Sequence, residues 1–120
     1  MRFVAYHEDK WLDERTDRAR WKQLIRAFGH ESTDLQLVTE WDDSMSGGLP
    51  VVIFDQTGVT SLRDFVHPVD CCYVFGRTGL NEMPKIIKHV HSVVIPTAAP
   101  VSLFGVNACA IALWDRYLKT

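Results

Sequence analysis

Residues 71–80 read CCYVFGRTGL. Strand-forming residues Cys71 to Val74 run into Phe75 and then into a loop in which Gly76 and Gly79 flank Arg77 and Thr78. A fully apolar run of this kind predicts a strand covered on both faces, as in parallel sheets. In open α/β sheets, ligands bind at the carboxyl ends of the strands. Glycines at such an end let backbone amides approach a ligand, or they only turn the chain. Both readings stay open on this stretch alone.

Outward from it, the pattern repeats. Arg2–Tyr6 predicts a first strand, and the polar stretch HEDKWLDERTD leads into a helix with Thr16 or Asp17 as its N-cap. Trp21, Leu24, Ile25 and Phe28 recur at helical spacing, and Gly29 ends the helix. LQLVTEW from Leu35 reads as a second strand, DDSMSGGLP as a loop and VVIFD from Val51 as a third strand. A short helix is expected over Ser61 to Val66, and another over Pro84 to His89. CCYVFG and SVVIP supply the fourth and fifth strands. A last helix is expected from Val101, with Leu103, Val106, Ala110, Leu113, Trp114 and Tyr117 on one face. Strands alternating with helices predict an α/β fold, a parallel sheet of about five strands with flanking helices.

The 120 residues fit one domain, 1–120, with a single hydrophobic core. A net charge of -2 excludes a wholesale basic coat for nucleic acid but not a local basic stripe. The three cysteines include the adjacent Cys71 and Cys72, which on a strand face opposite ways and are poorly placed to pair. Reduced core thiols and a cytoplasmic protein are expected. The N-terminal MRFVAYHEDK reads as a strand followed by charge rather than a signal peptide. No apolar run approaches the roughly 20 residues of a membrane-spanning helix. His67, His89 and His91 lack zinc-site spacing, so no metal is expected and surface or edge positions are.

YVFGRTGL, SVVIPT and SLFGVNACAIALWDRYL follow one another in an order and spacing that resembles the SPOUT methyltransferases. The branch it looks most like is their tRNA and rRNA ribose 2'-O-methyltransferases. The matching residues are Phe75, Gly76, Gly79, Leu80, Ile95, Pro96, Ser102, Leu103, Asn107 and Ala108. The resemblance covers roughly residues 70 to 118. It implies a C-terminal trefoil knot, with Ile95 to Phe104 threaded against the Gly76 loop. It also implies S-adenosylmethionine bound among the knot loops, an RNA substrate and a homodimer through the last helix. Arg77 and Thr78 stand where the family loop carries a glutamate, and Phe104-Gly105 where it carries an asparagine. Asp17, Ala19 and Gln23 occupy the first-helix positions of the family's Asn, Gly and Arg.

The candidate cofactor residues are therefore Gly58, Phe75, Gly76, Arg77, Gly79, Leu80, Ile95, Pro96, Thr97, Ser102, Leu103 and Asn107. Gly58 has a turn as its alternative, Pro96 a strand end, and Ser102 a helix cap. Asn107, placed near the apolar face of the last helix, needs a bonding partner there. Arg20 and Arg26 are the candidate catalytic arginines. Arg15, Arg18, Lys22 and Arg26 form a helical stripe for RNA phosphates or a solvated, paired face. Two functions follow: RNA ribose methylation dependent on S-adenosylmethionine, or a non-catalytic knotted dimer acting as a binding protein. An unrelated flavodoxin-like domain, with FGRTGL as a mere turn, is the third reading.

Overall fold

A computed structural model describes residues 1–8, 10, 12–80 and 82–120. The strands are β1 (Arg2–Tyr6), β2 (Leu35–Val38), β3 (Val51–Phe54), β4 (Thr60–Ser61), β5 (Cys72–Phe75) and β6 (His91–Val94). The helices are α1 (Glu14–Ala27), the single-turn α2 (Met83–Ile86) and α3 (Gly105–Lys119). The strands form one sheet in the order β2-β1-β5-β3-β6-β4, with every pairing parallel.

Side-chain alternation divides the core in two. Phe3 and Ala5, Val52 and Phe54, and Tyr73 and Phe75 face α1 and α3. Val4 and Tyr6, Val51 and Ile53, and Cys72 and Val74 face the other side, with Met83 and Ile87. Cys71 and Cys72 thus belong to opposite faces, and all three cysteines are free and buried. Burial pushes the Cys71 thiol up to about 11 and Cys72 to about 12, which leaves them unreactive near neutrality.

α1 buries Trp21 and Ile25 with Leu24 and Phe28 partly covered, as the spacing predicts. Its cap differs from expectation. Asp13, not Thr16 or Asp17, caps the helix: its Oδ1 accepts from the Thr16 N–H at 3.0 Å, and its Oδ2 from the Thr16 hydroxyl at 2.8 Å. These bonds hold the Asp13 carboxyl below its ordinary range. Asp17 lies a turn further in and is buried.

The sheet holds a sixth strand that the sequence does not advertise. Thr60 and Ser61 pair with β6, and a 3-10 turn, Leu62–Asp64, replaces the expected helix over 61–66. A two-residue Thr-Ser strand has no apolar alternation to reveal it. Phe54 and Thr60 both pair with Val93, from opposite sides of β6. Residues 55–59 must therefore cross β6. Gly58 lies at the crossing, where a Cβ would come within 2.4 Å of the Val93 carbonyl carbon and 2.6 Å of the Val94 nitrogen.

α3 begins at Gly105 rather than Val101, and neither Ser102 nor any other side chain caps it. Its buried face is Gly105, Ala108, Cys109, Ala112 and Leu113. Of the face expected from the large residues, only Leu113 is buried, while Trp114 and Tyr117 point outward at 53% and 64% exposure. The sheet supplies bulky Tyr73 and Phe75 beneath the helix, so the helix must bring small residues to meet them. Asn107 is accordingly exposed, and solvent can satisfy it.

The C-terminal end of α3 is tied down by a network of polar groups around the buried His67 ring. The His67 ring contacts the Tyr73 hydroxyl at 2.6 Å through Nδ1 and Asp115 at 2.7 Å through Nε2. Arg116 donates to Tyr73 Oη and to the Pro68 and Val69 carbonyls. Lys119 donates to the Leu62 and Phe65 carbonyls. His67, expected at a surface or edge, has a side chain only 1% exposed because this network gives both ring nitrogens a partner. Among the described residues no helix is long and apolar enough to cross a membrane.

Candidate cofactor and active site

The neighbouring strands β5, β3 and β6 all run the same way, so their carboxyl ends gather at one edge of the sheet. A cavity of about 530 Å³ opens there. This lies within the roughly 300–1,000 Å³ typical of small-molecule sites. Its walls are Phe54 to Gln56 from the end of β3, Phe75 to Arg77 with Leu80 and Met83 after β5, Val93 to Leu103 along and after β6, and Gly105 and Ala108 of α3.

The cavity brings together Phe75, Gly76, Arg77, Leu80, Ile95, Pro96, Thr97, Ser102 and Leu103, all anticipated from sequence. Gly58, Gly79 and Asn107 lie outside its wall, and so do Arg15, Arg18, Arg20, Lys22 and Arg26. Arg18 is instead paired with Glu14, through Nε at 2.7 Å and through Nη2. Arg20 and Arg26 are exposed on α1.

The glycines have different roles. At Gly76 a Cβ would meet Met83 Sδ at 3.1 Å and Cε at 3.2 Å, in the wall itself. Gly79 has φ 84° and open space beside it, which makes it a turn glycine. Gly105 brings α3 against the Phe75–Gly76 corner, where a Cβ would lie 2.7 Å from the Gly76 carbonyl oxygen.

Polar groups around the cavity are available to a ligand. Among the described residues, the 95–103 segment bonds itself only from the Val101 N–H and the Thr97 hydroxyl, both to the Ala99 carbonyl. Arg77 is exposed at the rim. The buried Tyr6 hydroxyl has no hydrogen-bond partner among the described residues, and its ring packs in the cluster that contains Met83 and Leu80. Burial raises its pKa, and the nearby Arg77 guanidinium opposes that rise.

Sequence reasoning missed Asp55, Gln56 and Met83 as wall residues. It also missed the polar segment after β1. Glu8 Oε1 accepts the Thr78 N–H at 2.7 Å and the Thr78 hydroxyl at 3.2 Å, so a carboxylate does reach the 76–80 loop, from a distant part of the chain. His7 Nδ1 lies 2.8 Å from the buried Asp17. The available signal was the charged HE pair directly after a strand of a parallel sheet.

No protein-family model matches the chain, and no curated protein matches it. Solved structures do. One, described as an RNA methyltransferase of the TrmH family from Porphyromonas gingivalis, superposes with a TM-score of 0.70 over 98% of this chain, at 14% identity. A second, from work on the 2-OH methylation of C/U34 on tRNA, also gives 0.70 over 98% of the chain, at 15% identity. The chain has the SPOUT methyltransferase fold. A further neighbour, described as an RNA methyltransferase from Bacillus anthracis, gives 0.63 at 18% identity, again over 98% of this chain. The chain spans 59% of the Porphyromonas protein and 89% and 92% of the other two. At these identities the likeness is one of SPOUT fold, and the chemistry rests on the cavity's own residues.

Proposed function

We propose that this chain binds S-adenosylmethionine in the cavity at the carboxyl ends of β3, β5 and β6 and methylates a ribose 2'-hydroxyl of tRNA or rRNA. One observation carries the reading: the Phe-Gly, Ile-Pro-Thr and Ser-Leu segments, far apart in sequence, line a single cavity. That its neighbours in fold are described as RNA methyltransferases supports the same reading.

The residues present fit such a cofactor. Leu80, Ile95, Pro96 and Leu103 offer an apolar slot for a purine. The open backbone of 95–99 offers donors and acceptors to its edges, and the Tyr6 hydroxyl, without a partner among the described residues, is one more polar group near this wall. Arg77 is placed to pair with a carboxylate or an RNA phosphate. When bound, the cofactor supplies a methyl group on a positively charged sulfur. The protein's part is to hold the hydroxyl in line with that methyl and to assist proton loss. Arg15, Lys22 and Arg26 remain on α1 for RNA phosphates. Arg20 and Arg26 do not border the cavity, so a role in catalysis would have to be exerted in a partner's site.

Calorimetric titration with S-adenosylmethionine and with its demethylated product tests the reading. Submillimolar binding of both is expected. No binding would overturn it in favour of a non-catalytic SPOUT-fold protein.

A further inference from the structure

Resting on that methyl-transfer reading, the geometry points to His7 as the proton acceptor for the RNA hydroxyl, with Asp17 as the residue that positions it. The His7 N–H still follows the sheet, donating to the Val38 carbonyl at 2.9 Å. Its ring turns to α1, where Nδ1 meets Asp17 Oδ2 at 2.8 Å. The Asp17 side chain is 3% exposed, and the same oxygen also accepts the Glu8 N–H at 3.3 Å. A carboxylate only accepts, so the neutral imidazole carries its proton on Nδ1 and its lone pair on Nε2. Among the described residues Nε2 has no partner, and the side chain keeps 13% exposure. A buried carboxylate fixing the tautomer of a partly open imidazole is the arrangement that general-base catalysis uses.

His7 and Asp17 do not themselves line the cavity, but both neighbour residues that bound it. Ala5 pairs with Phe75. His7 follows two residues beyond that last pair, and Gly76 and Arg77 follow Phe75 directly at the end of β5. Gly76 and Arg77 are wall residues. On α1, Asp17 lies one turn before Trp21, whose ring would be 3.3 Å from a Cβ on the wall residue Gly105. Glu8 fixes the 76–80 loop alongside through Thr78. The charged groups that the contacts place at the ring are Asp17 from α1 and, next in the same segment, Glu8.

In the step, the ribose oxygen forms a bond to the methyl carbon as the carbon–sulfur bond breaks, leaving its electron pair on sulfur. The hydroxyl proton passes to His7 Nε2. Asp17 offsets the charge of the imidazolium, which returns its proton to water through the exposed ring edge.

The test joins spectroscopy to kinetics. In protein labelled with ¹⁵N-histidine, at a pH where the ring is neutral, the His7 resonances should report the Nδ1–H tautomer, and Asp17→Asn should abolish that preference. An Nε2–H tautomer in the wild type would overturn the proposal. Transfer of labelled methyl to unmodified tRNA and rRNA transcripts gives the second readout. His7→Ala and His7→Gln should lower kcat by about 10²-fold or more. Their affinity for S-adenosylmethionine should stay within twofold of wild type, and their circular dichroism should be unchanged. Asp17→Asn should lower kcat by about tenfold. A wild type that methylates while a folded His7→Gln variant matches it would remove this inference alone. A wild type that neither binds the cofactor nor transfers methyl would remove the proposed function and this inference with it.

Discussion

His67 sits where a charge would be costly. Burial lowers its pKa from the ordinary 6.5, and the hydrogen bond and charge of Asp115 only partly oppose this. The unfolded chain therefore takes up a proton at a higher pH than the folded one does. Stability from this group is complete above about pH 6.5 and declines as the pH falls below it. His30, also lowered by burial, adds to the same window. Urea unfolding of the wild type should thus have a lower midpoint at pH 5.5 than at pH 8, and His67→Gln should reduce that difference. A variant with the full wild-type difference would place the pH sensitivity elsewhere. The glycines make a second residue-scale case. Both Gly76 and Gly79 look alike in the sequence, and Gly79→Val suggests itself as a block to a purine. The φ of 84° and the open space at Gly79 mean that a side chain there strains the backbone instead, at about 1 kcal/mol or more. At Gly76 the side chain would press on Met83 in the wall. Gly76→Val should therefore weaken S-adenosylmethionine at least tenfold by calorimetry, while Gly79→Ala lowers the melting temperature and leaves affinity within twofold. The opposite ranking would show that the cofactor lies over the turn.

α3 shows at the level of an element what the sequence did and did not reveal. Its existence was legible, because the stretch up to Lys119 keeps a helical period, but its start was not: it was expected at Val101 and lies at Gly105. Nor was its inward face legible. Periodicity counts large apolar residues, and the large ones here lie outside, while Gly105, Ala108 and Ala112 pack on the aromatic ridge of β5. The edge that bears the cavity has the same character: the Phe-Gly and Ile-Pro strand ends could be read directly, whereas Glu8 and Thr78 meet across a separation of 70 positions that no local pattern encodes. The outward face of α3 has a consequence of its own. Ile111, Trp114, Tyr117 and Leu118 are exposed by 39 to 64%, with the rings of Trp114 and Tyr117 stacked at 5.8 Å and Phe28 of α1 against both. A contiguous apolar patch of this kind marks an association surface. We propose that it is the homodimer interface, with α1 and α3 of one copy against those of another. Sedimentation at micromolar concentration should give a dimer, and Trp114→Glu a folded monomer; a monomeric wild type would sink the idea.

At the scale of the whole molecule the decisive feature is the order in which strands enter the sheet. β5 enters between β1 and β3, and β6 between β3 and β4, so the later strands fill gaps left by earlier ones. The 55–59 connection already spans β6, with Gly58 against the Val93–Val94 backbone. After β6 the chain turns back along the cavity and enters α3, which packs against β5. A chain end that must pass between segments already joined across its path is the condition for a knot, which ordinary chain topology avoids. We propose that the segment from Ile95 to Phe104 passes through the loop between β3 and β5 and closes a trefoil. The thread would hold the three cavity-lining segments together, a constraint that strand-end loops alone do not supply. Single-molecule pulling from the two termini tests this directly. An unknotted chain of 120 residues extends fully, at about 3.6 Å per residue. A knotted one tightens and stops short, because the residues caught in the tightened trefoil never contribute their length. A reproducible deficit in final contour length is expected for the wild type. It should vanish when one pulling point is moved from residue 120 to residue 90, because the segment from Ile95 onward then lies outside the tension path. Full extension between the true termini would show that the sheet, for all its crossings, is open.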